Sequence, residues 1–202
     1  MKIPGPPIDL EAQVRATAFR LLLAGGEPVH QETLALETGI SLVRLGELLA
    51  ALDRAGRIRR DAQGNLIGSA GLSVIPDRHE VEIDGRRFWT WCAYDVLGIF
   101  GALAASGRAL LPSPGGPTIE VRFVRGRVEA NDAVLFRPDS DLLSYCENVY
   151  EEWCPNSNLF PNAQIAETWA KERDLKGGIL DLDEASVLAT KEWRPLADGS
   201  IV

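Results

Sequence analysis

Hydrophobic positions in the first part of the chain recur at helical spacing three times in succession. Residues 10–24 predict a helix that ends at a glycine pair, and residues 30–38 predict a short second helix. Ser41 is a suitable N-cap for a third helix, in which leucines recur every three or four positions until Gly56. The chain is therefore expected to begin with three consecutive helices.

The pattern after the third helix changes to that of a hairpin. Residues 57–60 and 66–67 flank the polar turn 61–65, which is typical of two antiparallel strands. Three helices followed by a hairpin make a winged-helix unit. We place its end at residue 70, so that the predicted domains are 1–70 and 71–202.

The second predicted domain mixes short strands with helices. Strands are predicted at 72–75, 80–84, 118–124, 127–130, 133–136 and 178–182. Helices are predicted at 91–105, 163–171 and 182–189, and a loop rich in proline and glycine at 111–117. The predicted fold class is α+β: an N-terminal winged-helix unit followed by a mixed or antiparallel sheet with flanking helices.

Charge and composition bear on the partners of the protein. The formal net charge is −8, which argues against binding to nucleic acid or to an anionic membrane, because both surfaces repel an acidic protein. Residues 1–10 contain three prolines and lack the apolar segment of a signal peptide. No run approaches the ~20 apolar residues of a membrane span. We therefore expect a cytoplasmic protein with no nucleic-acid and no membrane partner.

The apolar run 88–100 contains two residues that can do chemistry. Cys92 and Asp95 are three positions apart, so both side chains project from one face of the predicted helix. Burial disfavours the charged carboxylate and predicts a protonated Asp95 at neutral pH. Cys92 is expected in the first helical turn, where the helix dipole favours a thiolate, with Thr90 as candidate N-cap. A thiolate beside a protonated acid can attack a soft centre and protonate the leaving group.

The cysteines of the chain are Cys92, Cys146 and Cys154. An odd number without an export signal indicates reduced thiols and not a disulfide framework. A zinc site is poorly supported, because no C-x-x-C pair is present and both histidines are distant in sequence. Cys146 is interpreted as an incidental thiol.

Two segments of the chain resemble those of a known family. Residues Trp91-Cys-Ala-Tyr-Asp95 look like the W-C-A-x-D segment of the organomercurial (alkylmercury) lyases. Trp153-Cys-Pro-Asn-Ser-Asn-Leu-Phe160, followed by Trp169, is similar to the second cysteine segment of that family. The resemblance extends in order over most of residues 10–190. One departure is Pro155, where some members carry a further cysteine.

The resemblance implies a carbon–mercury lyase that takes part in mercury detoxification and resistance. Cys92 and Cys154 would hold the mercury, with Asp95 beside them as a further ligand and as the general acid that delivers a proton to carbon. Mercury is soft and prefers thiolate sulfur to oxygen or nitrogen. The implied products are a hydrocarbon and Hg(II), which cellular thiols or a mercuric reductase would remove. No organic cofactor is implied.

Other interpretations of the same residues remain open. A buried free cysteine is most often a small core side chain with no chemical role. Alternatively, Cys92 and Cys154 could bind a soft metal without catalysis. A winged-helix regulator that senses metal is a more distant alternative. Tyr94 is left out of the catalytic set, because it is expected on another face of the helix. Packing explains the tryptophans near the two motifs, and lining an apolar pocket for an organic group is compatible with packing; they are Trp89, Trp91, Trp153 and Trp169.

Overall fold

The computed structural model of the chain describes residues 9–198. Its helices are α1 Leu10–Gly25, α2 Gln31–Thr38, α3 Leu42–Arg54, α4 Ala93–Leu103, α5 Ser140–Tyr145, α6 Ala163–Glu172 and α7 Leu182–Asp198. Its strands are β1 Ile58–Arg60, β2 Leu66–Ser69, β3 Leu72–Ser73, β4 His79–Ile83, β5 Arg86–Thr90, β6 Gly107–Pro112, β7 Thr118–Val124, β8 Arg127–Val128, β9 Val134–Pro138, β10 Asn158–Phe160 and β11 Gly177–Asp181. The expectation about a signal peptide falls mainly on residues 1–8, outside the described part.

Local capping explains where the three N-terminal helices begin and end. The Asp9 carboxylate accepts hydrogen bonds from two backbone N–H groups of the first turn of α1, both at 3.1 Å, and Gly26 ends the helix at φ 70°. Ser41 caps α3 as predicted, by accepting from the backbone N–H of Arg44 at 3.4 Å. A side-chain acceptor at this position satisfies a backbone donor that has no partner within the helix. The three predicted helices are confirmed.

The larger sheet has the strand order β1-β2-β3-β5-β4-β6-β7-β8, and its neighbouring strands are antiparallel. The predicted hairpin β1–β2 is confirmed, and it belongs to this same sheet. Ala70 and Gly71 join β2 to β3 at φ 51° and 86°, so both turn residues are left-handed, as a two-residue hairpin turn requires. The domain boundary at residue 70 and the winged-helix assignment stay predictions.

A smaller antiparallel sheet, β10-β9-β11, packs with α6. Helix α4 lies in the main core, and its residues from Ala93 to Phe100 are all buried. Helix α7 packs directly on α4. The approach is so close that a Cβ at Gly98 or Gly101 of α4 would overlap the Trp193 or Thr190 side chain of α7. The predicted α+β class, with an antiparallel sheet and flanking helices, is confirmed.

Several elements differ from the sequence prediction. Strands β5, β6 and β10 and the helix α5 were not predicted, and α7 runs past the predicted end at 189 to Asp198. The predicted loop 111–117 is partly wrong, because its first two residues continue β6 and pair with β7. The β6 sequence, Gly-Arg-Ala-Leu-Leu-Pro, does not alternate apolar with polar residues, although only Ala109 and Leu111 are buried, and Pro112 ends the strand. Within residues 9–198 no helix combines the length and apolar character that crossing a membrane requires.

Candidate active site

The start of α4 positions Cys92 and Asp95. Cys92 has extended backbone angles and is the N-cap of the helix, and the Asp95 carboxylate accepts a hydrogen bond from its backbone N–H at 2.8 Å. An acid at the third helical position commonly closes a cap in this way. The prediction that Thr90 is the N-cap is wrong, since its hydroxyl donates instead to the carbonyl of Cys92 at 3.3 Å. Cys92 is fully buried and Asp95 is 5% exposed.

Cys154 reaches the site from a different part of the chain. It follows a π-helical turn, Val149–Trp153, and opens a 3-10 turn that ends at Asn156. Two asparagine side chains hold this segment, because Asn156 donates to the Glu152 carbonyl and Asn158 to the Pro155 carbonyl, both at 2.7 Å. The second cysteine is therefore held in a compact, locally bonded loop.

The structure brings the three residues singled out from the sequence into one cluster. One ligand atom each from Cys92, Asp95 and Cys154 lies within 4.8 Å of the others, and all three residues are buried. Two metal–sulfur bonds of about 2.3 Å, the length found for zinc, span a similar distance. Cys146 does not belong to this cluster; it is partly exposed, and its thiol lies 3.6 Å from the Leu143 carbonyl. The cluster offers two soft donors and one proton carrier at a single point.

Arg78, which the sequence prediction missed, joins the two cysteine segments. Its guanidinium donates to the carbonyl of Trp91, next to Cys92, at 2.9 Å, and to the carbonyl of Tyr150 at 3.0 Å. The same group lies 4.2 Å from the centre of the Tyr150 ring. A single charged side chain thus fixes the backbone on both sides of the cluster.

Burial sets the protonation of the cluster. The pKa of Asp95 is raised to about 7, chiefly by burial, while hydrogen bonds from Cys92 and the charge of Arg78 oppose the rise. This agrees in direction with the predicted protonated acid. The predicted thiolate is wrong for the metal-free protein: burial raises the pKa of Cys92 well above its ordinary value, and Cys154 and Asp95 add to the rise.

A pocket of about 140 Å³ opens onto Asp95 and Cys154. This volume is close to the ~150 Å³ of an apolar cavity that holds one benzene molecule. Tyr94 lines the pocket and donates to Glu192 at 2.9 Å, contrary to the expectation that it faces elsewhere. Its other walls include residues far apart in sequence: Arg15, Arg57, Trp91, Arg137, Trp153 and Trp193.

Four of the five tryptophans fall into two groups. Trp91, Trp153 and Trp193 line the pocket, whereas Trp169 packs against Phe136 and Phe160 in a separate small core, with ring centres 5.7 Å and 5.1 Å away. The Trp193 indole N–H donates to the Ala70 carbonyl at 2.8 Å. Nothing in the local pattern around residue 193 indicates a site, because the partners of Trp193, among them Ala70 and Tyr94, are distant in sequence.

Gly71 gives the Asp95 carboxyl its space. A Cβ at residue 71 would overlap the Asp95 side chain, and φ at this residue is 86°. Its carbonyl also accepts from the backbone N–H of Trp91 at 3.0 Å. Glycine is therefore required here both for its backbone angle and for its lack of a side chain.

The chain is similar to known alkylmercury lyases. The family model for alkylmercury lyase matches residues 72–193, more than half of the chain. The chain is 31% identical to an alkylmercury lyase of Bacillus cereus over 191 residues, which is 89% of this chain and 83% of that one. It is 30% identical to an alkylmercury lyase of Staphylococcus epidermidis over 170 residues, 81% of this chain and 74% of that one.

The chain belongs to the alkylmercury lyase family. Its fold agrees with that of a solved structure described as the mercury-bound form of MerB2. The TM-score is 0.81 at 24% identity, over 97% of this chain and 93% of that one. The region matched by the alkylmercury lyase model contains Cys92, Asp95 and Cys154, whereas Arg15 and Arg57 of the pocket precede it.

Proposed function

We propose that this protein is an organomercurial lyase that cleaves a carbon–mercury bond by protonolysis, giving a hydrocarbon and Hg(II). The observation that carries the proposal is the buried cluster of Cys92, Asp95 and Cys154, with ligand atoms within 4.8 Å of one another. Two sulfurs and one carboxyl group supply what the reaction needs, and the proposal includes no organic cofactor. Membership of the alkylmercury lyase family supports it.

The protons of the two thiols balance the reaction. The mercury of R–Hg–X, where X is a carrier thiolate, forms bonds to both sulfurs and loses its bonds to X and to carbon. One thiol proton leaves with X as HX. The other passes through Asp95 to carbon and gives R–H. The raised pKa of Cys92 means that this thiol arrives with its proton.

Asp95 is suited to relay this second proton. Its pKa of about 7 lies close to neutral pH, so it can accept a proton from a thiol and pass it on. Two thiolates on mercury raise the electron density at the bound carbon, which makes that carbon a better proton acceptor. Mercury would then stay on the two sulfurs and Asp95 until cellular thiols or a mercuric reductase remove it. The proposal also includes a cytoplasmic location, a role in mercury resistance and a winged-helix N-terminal unit.

The first test is release of benzene from phenylmercury by the purified protein in the presence of a thiol. We expect catalytic release by the wild-type chain and a loss of at least a hundredfold in Cys92→Ser and in Cys154→Ser, because each removes one of two mercury ligands. Cys146→Ser is the matched control and should keep wild-type turnover. Stoichiometric mercury binding without benzene would instead indicate a sequestering protein, and near-normal turnover in either active-site variant would remove that thiol from the mechanism.

A further inference from the structure

The pocket is lined by more arginines than acids, and two of the arginines are not paired with an acid among the described residues. Of the carboxyl groups that line the pocket, Asp95 accepts from the backbone of Cys92, and Glu192 lies 3.4 Å from Arg137 and accepts from the Tyr94 hydroxyl. Both acids are therefore engaged. Arg15 and Arg57 line the same pocket, and neither forms an ion pair with an acid within residues 9–198.

Arg15 is partly buried in the pocket wall. It projects from α1, and its Nε is buried without a hydrogen-bond partner in the described part of the chain. A buried donor of a charged group without a partner is costly to the fold, and native proteins rarely keep one without a use. Asp95 does not fill this need, since no hydrogen bond joins it to Arg15 among the described residues.

The two arginines also act on each other. The pKa of Arg15 is lowered to about 10, first by burial and then by the positive charge of Arg57. Arg15 still carries its charge at neutral pH, and the charges of Asp9, Glu11 and Asp95 act on it in the direction opposite to that of Arg57. Arg15 and Arg57 nevertheless place two mutually repelling cations on the pocket wall. An anion between them would relieve both the repulsion and the unmet hydrogen bond.

We propose that Arg15 and Arg57 form a carboxylate-binding subsite of the pocket, which takes the anionic end of a mercury-bound ligand. This inference rests on the proposed lyase function. The guanidinium fork matches a carboxylate with paired hydrogen bonds. The cavity of about 140 Å³ admits a small ring or a short chain. The carboxylate belongs either to the organic group on mercury or to the thiol that carries or removes the metal.

The test compares four combinations of substrate and thiol. Phenylmercury and 4-carboxyphenylmercury are each supplied with 2-mercaptoethanol, which is neutral, or with mercaptoacetate, which is anionic. The measured quantity is the ratio of kcat/KM for an anionic combination to that for the neutral one. A general loss of activity leaves this ratio unchanged. We expect a ratio of about 10 or more in the wild-type chain, in line with a charge-assisted hydrogen bond.

Variants assign the ratio to the two arginines. Arg15→Gln and Arg57→Gln should each bring the ratio of kcat/KM values close to one. If one of these two variants does not fold, the other still tests the subsite. Arg20→Gln is the matched control, because Arg20 lies on the same helix but is exposed and does not line the pocket. It should keep the wild-type ratio. A preference that follows the aryl carboxylate assigns the subsite to the organic group, and one that follows mercaptoacetate assigns it to the thiol.

Two results would overturn the inference: a wild-type ratio near one, or a high ratio that both glutamine variants retain. Failure of the lyase function is a separate result, because phenylmercury with 2-mercaptoethanol carries no charge and reports cleavage alone. If no hydrocarbon is released, affinities of the two arylmercurials can be compared by quenching of the tryptophans that line the pocket. The same loss of preference in the arginine variants would then support the subsite, and equal affinities would refute it.

Discussion

The buried carboxyl group of Asp95 lowers the stability of the fold at the pH where it is useful. Its pKa is raised from 3.8 to about 7 in the folded chain, so the unfolded chain releases this proton at lower pH. Between these values the folded state binds more protons, and the free energy of unfolding must fall as pH rises. The stabilisation that comes from protonated Asp95 is complete below about pH 4 and is lost as the pH rises through 7.

Asp95→Asn separates these two effects. The amide oxygen can still accept from the backbone N–H of Cys92, but the side chain neither titrates nor delivers a proton. We expect the variant to bind mercury, to lose turnover at least a hundredfold, and to be more stable than wild type at pH 8 by a few kcal/mol. Urea unfolding at pH 5 and pH 8 measures the difference, which should shrink at the lower pH. Normal turnover would rule out Asp95 as the acid.

At the level of single residues the sequence was informative only where partners are close along the chain. Cys92 and Asp95 are three positions apart, and their spacing predicted a shared site. Cys154 was reached through the family resemblance of its segment. Arg15 and Arg78 have no local pattern that marks them, since their contacts depend on how distant segments pack.

Among the elements, the start of α4 and the π-helical turn are joined by Arg78, which lies in the segment before β4 and donates a hydrogen bond to each. Arg78→Gln removes both hydrogen bonds and the charge, while Arg78→Lys keeps the charge but loses the planar fork. We expect the glutamine variant to lose about 3 kcal/mol of stability and at least tenfold in kcat, from two bonds donated by a charged group.

The lysine variant separates position from charge. Loss of the Arg78 charge should raise the pKa of Asp95 further, because that charge favours the ionised carboxylate. The alkaline limb of the rate profile should therefore move to higher pH in Arg78→Gln and stay near its wild-type position in Arg78→Lys. Arg87→Gln, at an exposed residue of β5, is the control. Equal pH profiles in all three variants would contradict an electrostatic role for Arg78.

The elements that the sequence predicted well have strong local signals. Capping residues and leucine spacing placed α1 to α3, and the polar turn 61–65 placed the first hairpin. Strands β5 and β10 are short and lie beside aromatic or polar residues that suit several structures. They form because neighbouring strands pair with them, which a single-sequence pattern does not report.

For the molecule as a whole, residues 9–70 pack with the rest of the described chain and supply part of the pocket wall. Strands β1 and β2 extend the main sheet, and one core cluster includes residues from Val14 to Ala189. The end of α3 meets the segment before Cys154, where the Val149 N–H donates to the Ala55 carbonyl at 3.0 Å. The side chain of Asn148 donates to the Arg54 carbonyl at 3.2 Å.

A chain restricted to residues 71–202 should therefore not fold into an active protein. It would lose two strands, the Arg15 wall of the pocket and the apolar contacts of α1 with β2 and α7. We expect no cooperative unfolding transition by circular dichroism and no benzene release, although the whole region matched by the family model is retained. A cooperative transition with wild-type turnover would establish the boundary at residue 70 as that of an independent catalytic domain.

The turn at Gly71 limits how this catalyst can evolve. A saturation library at this codon, selected by growth on phenylmercury, should return glycine alone, because even the Cβ of alanine would overlap the Asp95 side chain and the left-handed φ disfavours any side chain. The adjacent Ala70 keeps its left-handed angle with a side chain present but is buried, so that codon should accept only replacements of similar size. Substitutions in this hairpin turn are thus expected to be accepted at residue 70 and excluded at residue 71, which lies against the Asp95 carboxyl group.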